Sequence, residues 1–318
     1  MRLGVLLAAV AATTASCGRG QATTTGVASA SSSASAPVTS AASTPSASAG
    51  SSRPPLRSPL EDPRSTTLCP AGMVLVDGGF VPSMGHACRR WINEERDRCQ
   101  SYAAPPLKAG KPVPMRFCVD RFEYPNLEGV RPAVMPDWFD AQEACEIEGK
   151  RLCNASEWTL ACEGPEGLPY PYGWERDPSA CNIDRPRPAP EPDFDAFSRP
   201  RDISAEVHRL DLRVASGERS RCASPYGVFD MTGNVDEWTV NDAHFAALPP
   251  GKEEKDRPHV SGLKGGYWGP IRARCRPITS SHNEWFRFYQ VGFRCCADPL
   301  DGSFEGRRFR GLPRRRAK

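Results

Sequence analysis

The stretch Pro225-Tyr-Gly-Val-Phe-Asp-Met-Thr-Gly-Asn-Val-Asp-Glu-Trp238 decides the fold of this chain. It has neither the period of an amphipathic helix nor the alternation of a strand. It concentrates glycine, amide, carboxylate and indole groups in one irregular segment, as loop-built folds and ion sites do. Two further phrases of the same character flank it, Gly149-Lys-Arg-Leu152 upstream and Gly265-Gly-Tyr-Trp268 running on to Gly292-Phe-Arg-Cys295 downstream. Within the central segment, Asn234, Asp236 and Glu237 offer an amide oxygen and two carboxylates beside backbone carbonyls freed by Gly233. Hard oxygen donors on an irregular loop suit calcium. The competing reading is that Asn234 caps a turn while Glu237 pairs with Arg272 or Arg294.

Outside this core the chain changes character at both ends. Met1-Arg2, the apolar run Leu3–Ala12 and the small residues before Cys17 read as an export signal. Ala15-Ser16-Cys17 fits a lipoprotein cleavage box with Cys17 as the lipid-bearing residue, although Thr14 stands where an aliphatic residue is usual. Residues 18–66 are Ala, Ser, Thr, Pro and Gly with almost no large apolar side chain. Such a segment buries too little surface to offset its ordering entropy and is expected to be a disordered tether. A flexible tether of about fifty residues spans roughly 40 Å. Residues 301–318 form a basic tail in which, from Ser303 onward, seven Arg and Lys side chains face the single acid Glu305. The chain's net charge of +3 is therefore a property of the tail, which is expected to be solvated. No nucleic-acid motif or aromatic platform accompanies it, so specific nucleic-acid binding is not expected.

Residues 67–300 form one domain with room for a real core. Twelve of the thirteen cysteines lie in it, the other being Cys17. An even number in an exported chain implies disulfides. No Cys-x-x-Cys pair is present, which argues against structural zinc. Helices are predicted over 136–149, with Phe139, Ala144 and Ile147 as core contacts, and over 154–164, where Asn154 and Glu157 make a capping box. Strands are predicted at 73–76, 117–122 and 286–295, giving an α+β domain of low regular content.

The phrases quoted so far resemble, in order, the formylglycine-generating enzyme (sulfatase-modifying factor) domain family. Gly72-Met-Val-Leu-Val-Asp-Gly-Gly79 is similar to its opening strand and glycine turn. Cys118-Val-Asp-Arg-Phe-Glu-Tyr-Pro-Asn126 is similar to its next strand, Asp140–Gly164 to its helix block, and Tyr170-Pro-Tyr-Gly173 to a turn. The resemblance implies a fold related to C-type-lectin-like domains and stapled by disulfides. It implies the pairs Cys145–Cys295 and Cys162–Cys275; Cys153–Cys296, Cys181–Cys222 and Cys88–Cys99 are further candidates. It also implies calcium ligands in the Asn234–Glu237 segment and a second site at Asn182-Ile183.

The family's oxidases hold Cu(I) with two cysteines after the Gly-Gly-x-Trp turn and convert a peptide cysteine to formylglycine; soft thiolates select that ion. Here Gly269-Pro-Ile-Arg-Ala-Arg-Cys275 supplies one cysteine. Without a gap, Cys275 falls on the second copper cysteine and Pro270 replaces the first. With the loop shortened, Cys275 falls on a structural cysteine and both copper ligands are missing. The second alignment better preserves the spacing to Cys295. Tyr267 also replaces a serine that the oxidases keep.

The five histidines, His282 included, are scattered and belong to no catalytic motif. Arg272, Arg274, Arg287 and Arg294 either ring an anion pocket or pair with Glu123, Asp230 and Glu237; pairing is the expectation. The leading expectation is an exported lipoprotein of the cell envelope that binds or scaffolds an unknown envelope protein or ligand. The alternative is a divergent formylglycine-generating oxidase using copper and Cys275.

Overall fold

A computed structural model describes residues 67–315. The export signal, Cys17 and the 18–66 tether lie outside the described residues.

In chain order the elements are β1 (Met73–Phe80), β2 (Ser83–Gly85), β3 (Cys88–Asn93), β4 (Arg98–Tyr102), β5 (Leu107–Ala109), β6 (Val113–Asp120), α1 (Trp138–Ile147), β7 (Arg151–Leu152) and α2 (Ala155–Glu163). There follow α3 (Ile203–Leu210), β8 (Asp236–Val240), β9 (Ser261–Lys264), β10 (Ile278–Thr279), β11 (Val291–Phe293) and β12 (Cys295–Ala297). One four-stranded sheet has the order β1-β6-β12-β7 and another β10-β9-β8-β11. The smaller pairs are β2–β5 and β3–β4. In the first sheet, β1 and β6 are antiparallel with Met73 opposite Asp120 and Phe80 opposite Val113. The long irregular segments between strands account for the low regular content expected of this fold.

Helix α2 lies at the centre, against β1 and β6 in one sheet and β8 and β9 in the other. All nine of its residues are buried. Its face toward β1 and β6 packs Trp158, Leu160 and Ala161 with Val74, Val76, Phe117 and Val119. The Glu157 carboxylate accepts from the Asn154 N–H at 2.8 Å, closing the first turn as the capping pattern predicts.

Helix α1 departs from the predicted face. Asp137 caps it by accepting from the Asp140 N–H at 2.9 Å. Its buried residues are Trp138, Phe139, Ala141, Gln142 and Cys145. Ile147 is 80% exposed, so it is no core contact. The helix turns Trp138, Ala141 and Cys145 inward at one-turn spacing, which places position 147 on the opposite side. The predicted strand over 286–295 is also shorter than expected. Extended pairing begins only at Val291, because the preceding aromatics Phe286 and Phe288 pack as loop side chains against the core.

Six disulfides hold the loops: Cys69–Cys118, Cys88–Cys99, Cys145–Cys295, Cys153–Cys296, Cys162–Cys275 and Cys181–Cys222. Neighbouring side chains of a strand point to opposite faces, and Cys295 and Cys296 bridge accordingly to α1 and to the turn before α2. Bridges of this number form in an oxidising compartment. No helix among the described residues is long and apolar enough to cross a membrane.

The basic tail is not a solvated arm over its described length. The Arg116 N–H donates to Glu305 O at 2.8 Å, and the Glu305 N–H donates back to Arg116 O at 3.0 Å. Phe309 stacks on Phe245 with ring centroids 4.1 Å apart. Arg308 pairs with Asp298 at 2.6 Å. Its aromatic and leucine residues, interleaved with the arginines, supply packing that a count of charges misses.

Candidate functional site

Backbone geometry explains why the Pro225–Trp238 segment is rich in glycine and short polar residues. Asp230 and Asn234 both sit at φ 57°, and Gly233 at φ 84°. A Cβ on Gly233 would lie 2.3 Å from the main-chain oxygen of Asn182, so only glycine lets these two loops touch. The Asn234 N–H donates to that same oxygen at 3.0 Å.

The Asn234 side chain then joins four segments. Its Oδ1 accepts from Asn182 Nδ2 at 3.1 Å and from the Val214 N–H at 3.0 Å. Its Nδ2 donates to Glu123 Oε2 at 2.8 Å. Glu123 is wholly buried and also accepts from Ser216 Oγ at 3.0 Å. Burial pushes its carboxyl well above the usual range, reinforced by Asp230 and Glu237 and opposed by Arg294 and the Asn234 amide. Asp230 is likewise raised by burial, against the Gly217 N–H that donates to it at 2.7 Å.

Glu237 is engaged by Arg294 and Trp158. Its two oxygens take a bidentate pair from Arg294, Nε to Oε2 and Nη2 to Oε1, both at 2.7 Å. Trp158 Nε1 donates to Oε2 at 2.7 Å. Both side chains of the ion pair are 0% exposed. Of the other three arginines, Arg272 and Arg274 line a small space beside Asp236, and each of the three takes other partners than Glu123, Asp230 and Glu237. Arg274 pairs with Asp97, Arg287 with Asp137, and Arg272 donates to Ile278 O and Thr279 Oγ1.

These contacts bear directly on calcium. The structure brings Asn182, Ile183 and Asn234 together, with Asn182 Oδ1 buried and unpartnered. Glu237 and Asp236 take other partners. Glu237 is committed to a guanidinium, which would repel a second cation, and the Asp236 carboxylate accepts from the Gly266 N–H. Among the described residues no three His, Cys, Asp or Glu side chains gather as a metal set. Of the donors nominated by the sequence, Glu237 is thus engaged by Arg294 and Asp236 by the Gly266 N–H, while Asn182 and Asn234 meet each other.

The second stretch of interest begins at the end of β9. Gly265 and Gly266 have φ 87° and 77°, and a Cβ on Gly265 would sit 3.0 Å from Met231 O and 3.1 Å from the Trp158 ring. This close turn lays residues 265–275 against α2. Trp268 is buried, with Tyr289 at 5.7 Å between ring centroids. The Cys275 N–H donates to Pro169 O at 2.9 Å and its sulfur is bridged to Cys162. Lys264 Nζ donates to Cys275 O at 2.8 Å and Arg276 O at 2.9 Å, and lies 5.1 Å from the Trp158 ring centroid. Burial lowers the Lys264 ammonium to about 7, opposed by Glu163. The space enclosed by Asp236, Gly265, Gly266, Ile271 and Arg272 is ≈ 40 Å³, room for a water but not for a peptide side chain.

Sequence reasoning missed Lys264 and a larger cavity of ≈ 340 Å³ against α2. Phe80, Val113, Met115 and Ile278 form its apolar walls, and Asp242 its polar side, accepting from Ser156 Oγ at 2.6 Å. Its lining comes from seven separate segments, so no local motif announces it.

The profile described as the sulfatase-modifying factor enzyme 1-like domain matches residues 117–299. The chain is 30% identical over 174 residues to the inactive C-alpha-formylglycine-generating enzyme 2 of Bos taurus, covering 52% of this chain and 50% of that protein. It is 26% identical over 188 residues to the formylglycine-generating enzyme of Thermomonospora curvata, covering 53% and 56%. The chain thus spans about half the length of these curated relatives. Among solved structures, PvdO from Pseudomonas aeruginosa is similar at a TM-score of 0.43 and 17% identity, over 71% of this chain and 94% of that one. Residues 67–116 precede the matched region, yet β1 pairs with β6 and Cys69 is bridged to Cys118, so they complete the same fold. With the profile spanning more than half of the chain, this protein belongs to the sulfatase-modifying factor enzyme 1-like domain family.

Proposed function

We propose that this protein is a non-oxidase member of its family that binds or scaffolds a partner at the cell envelope. The observation that carries this reading is the Cys162–Cys275 bridge. The family's copper chemistry rests on two thiolates in the loop after the Gly-Gly-x-Trp turn. Here that loop contains a single cysteine, and its sulfur is consumed by the bridge. Every other cysteine among the described residues is bridged as well, leaving no neighbouring thiolate to complete a copper pair. An inactive relative of similar sequence supports the same reading. The sequence before residue 67 supports export and anchoring through lipid on Cys17, with the tether holding the domain clear of the bilayer surface.

The test is incubation of the disulfide-intact protein with Cu(I), oxygen and a Cys-x-Pro-x-Arg peptide, followed by mass spectrometry. The proposal expects the peptide cysteine to remain unconverted. Conversion to the aldehyde would overturn the proposal in favour of the divergent-oxidase alternative.

A further inference from the structure

The described end of the tail lies on the first turn of α1, where its arginine meets an acidic and aromatic surface. Arg315 Nη2 contacts Asp137 Oδ1, and reaches Asp140 Oδ1 at 2.6 Å. The same guanidinium lies 5.3 Å from the Trp285 ring centroid and 5.7 Å from that of Phe139. These two rings are 4.7 Å apart, forming an aromatic wall beside the carboxylates. Arg287 contacts Asp137 from the other side. Without Arg315, two carboxylates would face one guanidinium, leaving a net negative surface beside a half-exposed indole.

Two more observations point to a ligand. The tail does not fill the surface: a cavity of ≈ 420 Å³ remains between Arg314 and Arg315 and the α1 residues Phe139, Gln142, Glu143 and Glu146. The occupying residue is also held loosely. Leu312 still packs on the core, but the Arg315 side chain is 36% exposed and that of Arg314 68%. The Arg314–Glu146 and Arg315–Asp140 pairs are solvated on both sides, hence weak and screened by salt, and a competing guanidinium can displace them to reach the buried Asp137 carboxylate.

We infer that Asp137, Asp140, Phe139 and Trp285 form a recognition clamp for an arginine-bearing peptide, with the chain's own Arg315 occupying it as an intramolecular competitor. The carboxylates accept the guanidinium hydrogen bonds and the rings bind its face, a combination that favours arginine over lysine. Tethered three residues beyond Leu312, Arg315 is present at high effective concentration and raises the threshold for an outside peptide.

The test uses a fluorescein-labelled Gly-Leu-Pro-Arg-Arg peptide, copying residues 311–315, and fluorescence anisotropy at low salt. The full chain is compared with a full chain carrying Arg314→Ser and Arg315→Ser, both at exposed positions. The substituted chain is expected to bind the peptide about tenfold more tightly. Adding Trp285→Ala or Asp140→Asn in that background is expected to weaken binding about tenfold, and a Lys-Lys peptide to bind more weakly than the Arg-Arg one. Trp285 is half-exposed, and asparagine at 140 retains an acceptor for the Asp137 N–H, so both variants preserve the fold. Absence of peptide binding to the substituted chain, equal binding by the two chains, or insensitivity to both clamp substitutions would overturn the inference.

Discussion

Replacing Glu237 with glutamine separates the two roles that the Gly-Asn-x-x-Glu-Trp segment suggests for this residue. In the structure the Glu237 carboxylate neutralises Arg294 through two 2.7 Å contacts, with both side chains at 0% exposure. Glutamine keeps the size and one oxygen acceptor, which suffices for Trp158 Nε1, but leaves the guanidinium without its facing charge. Asp230 and Glu123 are held toward their neutral forms by burial and substitute poorly. Removing one partner of a buried pair costs about 3–5 kcal/mol. For a domain of this size that is a fall in Tm of about 6–20 °C. Urea unfolding with the disulfides intact, read by tryptophan fluorescence in calcium and again in EDTA, gives the number directly. Adding Arg294→Met should recover much of the loss, since no unpaired charge then remains buried. A Glu237→Gln cost below about 1 kcal/mol would refute the reasoning. So would a cost present in calcium and absent in EDTA, because Glu237 would then be acting as a metal ligand.

Three further outcomes follow from the same structure. Cys162→Ala with Cys275→Ala opens a bridge spanning 113 residues and should lower stability by about 4 kcal/mol in urea, a loop-closure magnitude; an unchanged midpoint would mean the bridge does not constrain the unfolded chain. Asp236 is pushed up to about 7 by burial and by Glu237, against the Gly266 N–H and Arg272, and Asp120 to about 6 by burial against Lys150. A carboxyl raised on folding contributes stability that is complete below its unfolded value, near 4, and lost as pH rises through its folded value. Urea midpoints should therefore fall between pH 4.5 and 7.5, about, and less steeply in Asp236→Asn; an equally steep fall in the variant would contradict the assignment. Gly233→Ala places a methyl group 2.3 Å from Asn182 O at a left-handed φ and should cost about 3 kcal/mol or prevent folding, as a thermal melt or the soluble yield would show; a near-neutral change would mean the two loops are free to separate.

Much of the fold was readable because its signals are local. Gly149, Gly164 and Gly265 mark reversals, and Asn154 with Glu157 marks the start of α2 within four residues. The site was less readable because its meaning is set by partners far along the chain. Asn234 and Glu237 look like one donor set in sequence, yet the bend at Gly233 and the start of β8 turn them toward Glu123 and Arg294 respectively. Periodicity misassigned Ile147 because it cannot say which side of α1 meets the sheets. Charge counting misread the tail because the stacking of Phe309 on Phe245 joins segments 64 residues apart in sequence. Lys264 gave no signal, since its two acceptors are main-chain carbonyls supplied by the fold.

The central claim is that the loop after Trp268 carries a stapled cysteine instead of a copper-binding pair. Titration of free thiols in the unreduced, denatured protein tests it most directly. The account predicts no reactive thiol from residues 67–318, with Cys275 recovered in a peptide cross-linked to Cys162. Recovery of Cys275 as a free thiol, together with a second free cysteine, would contradict it.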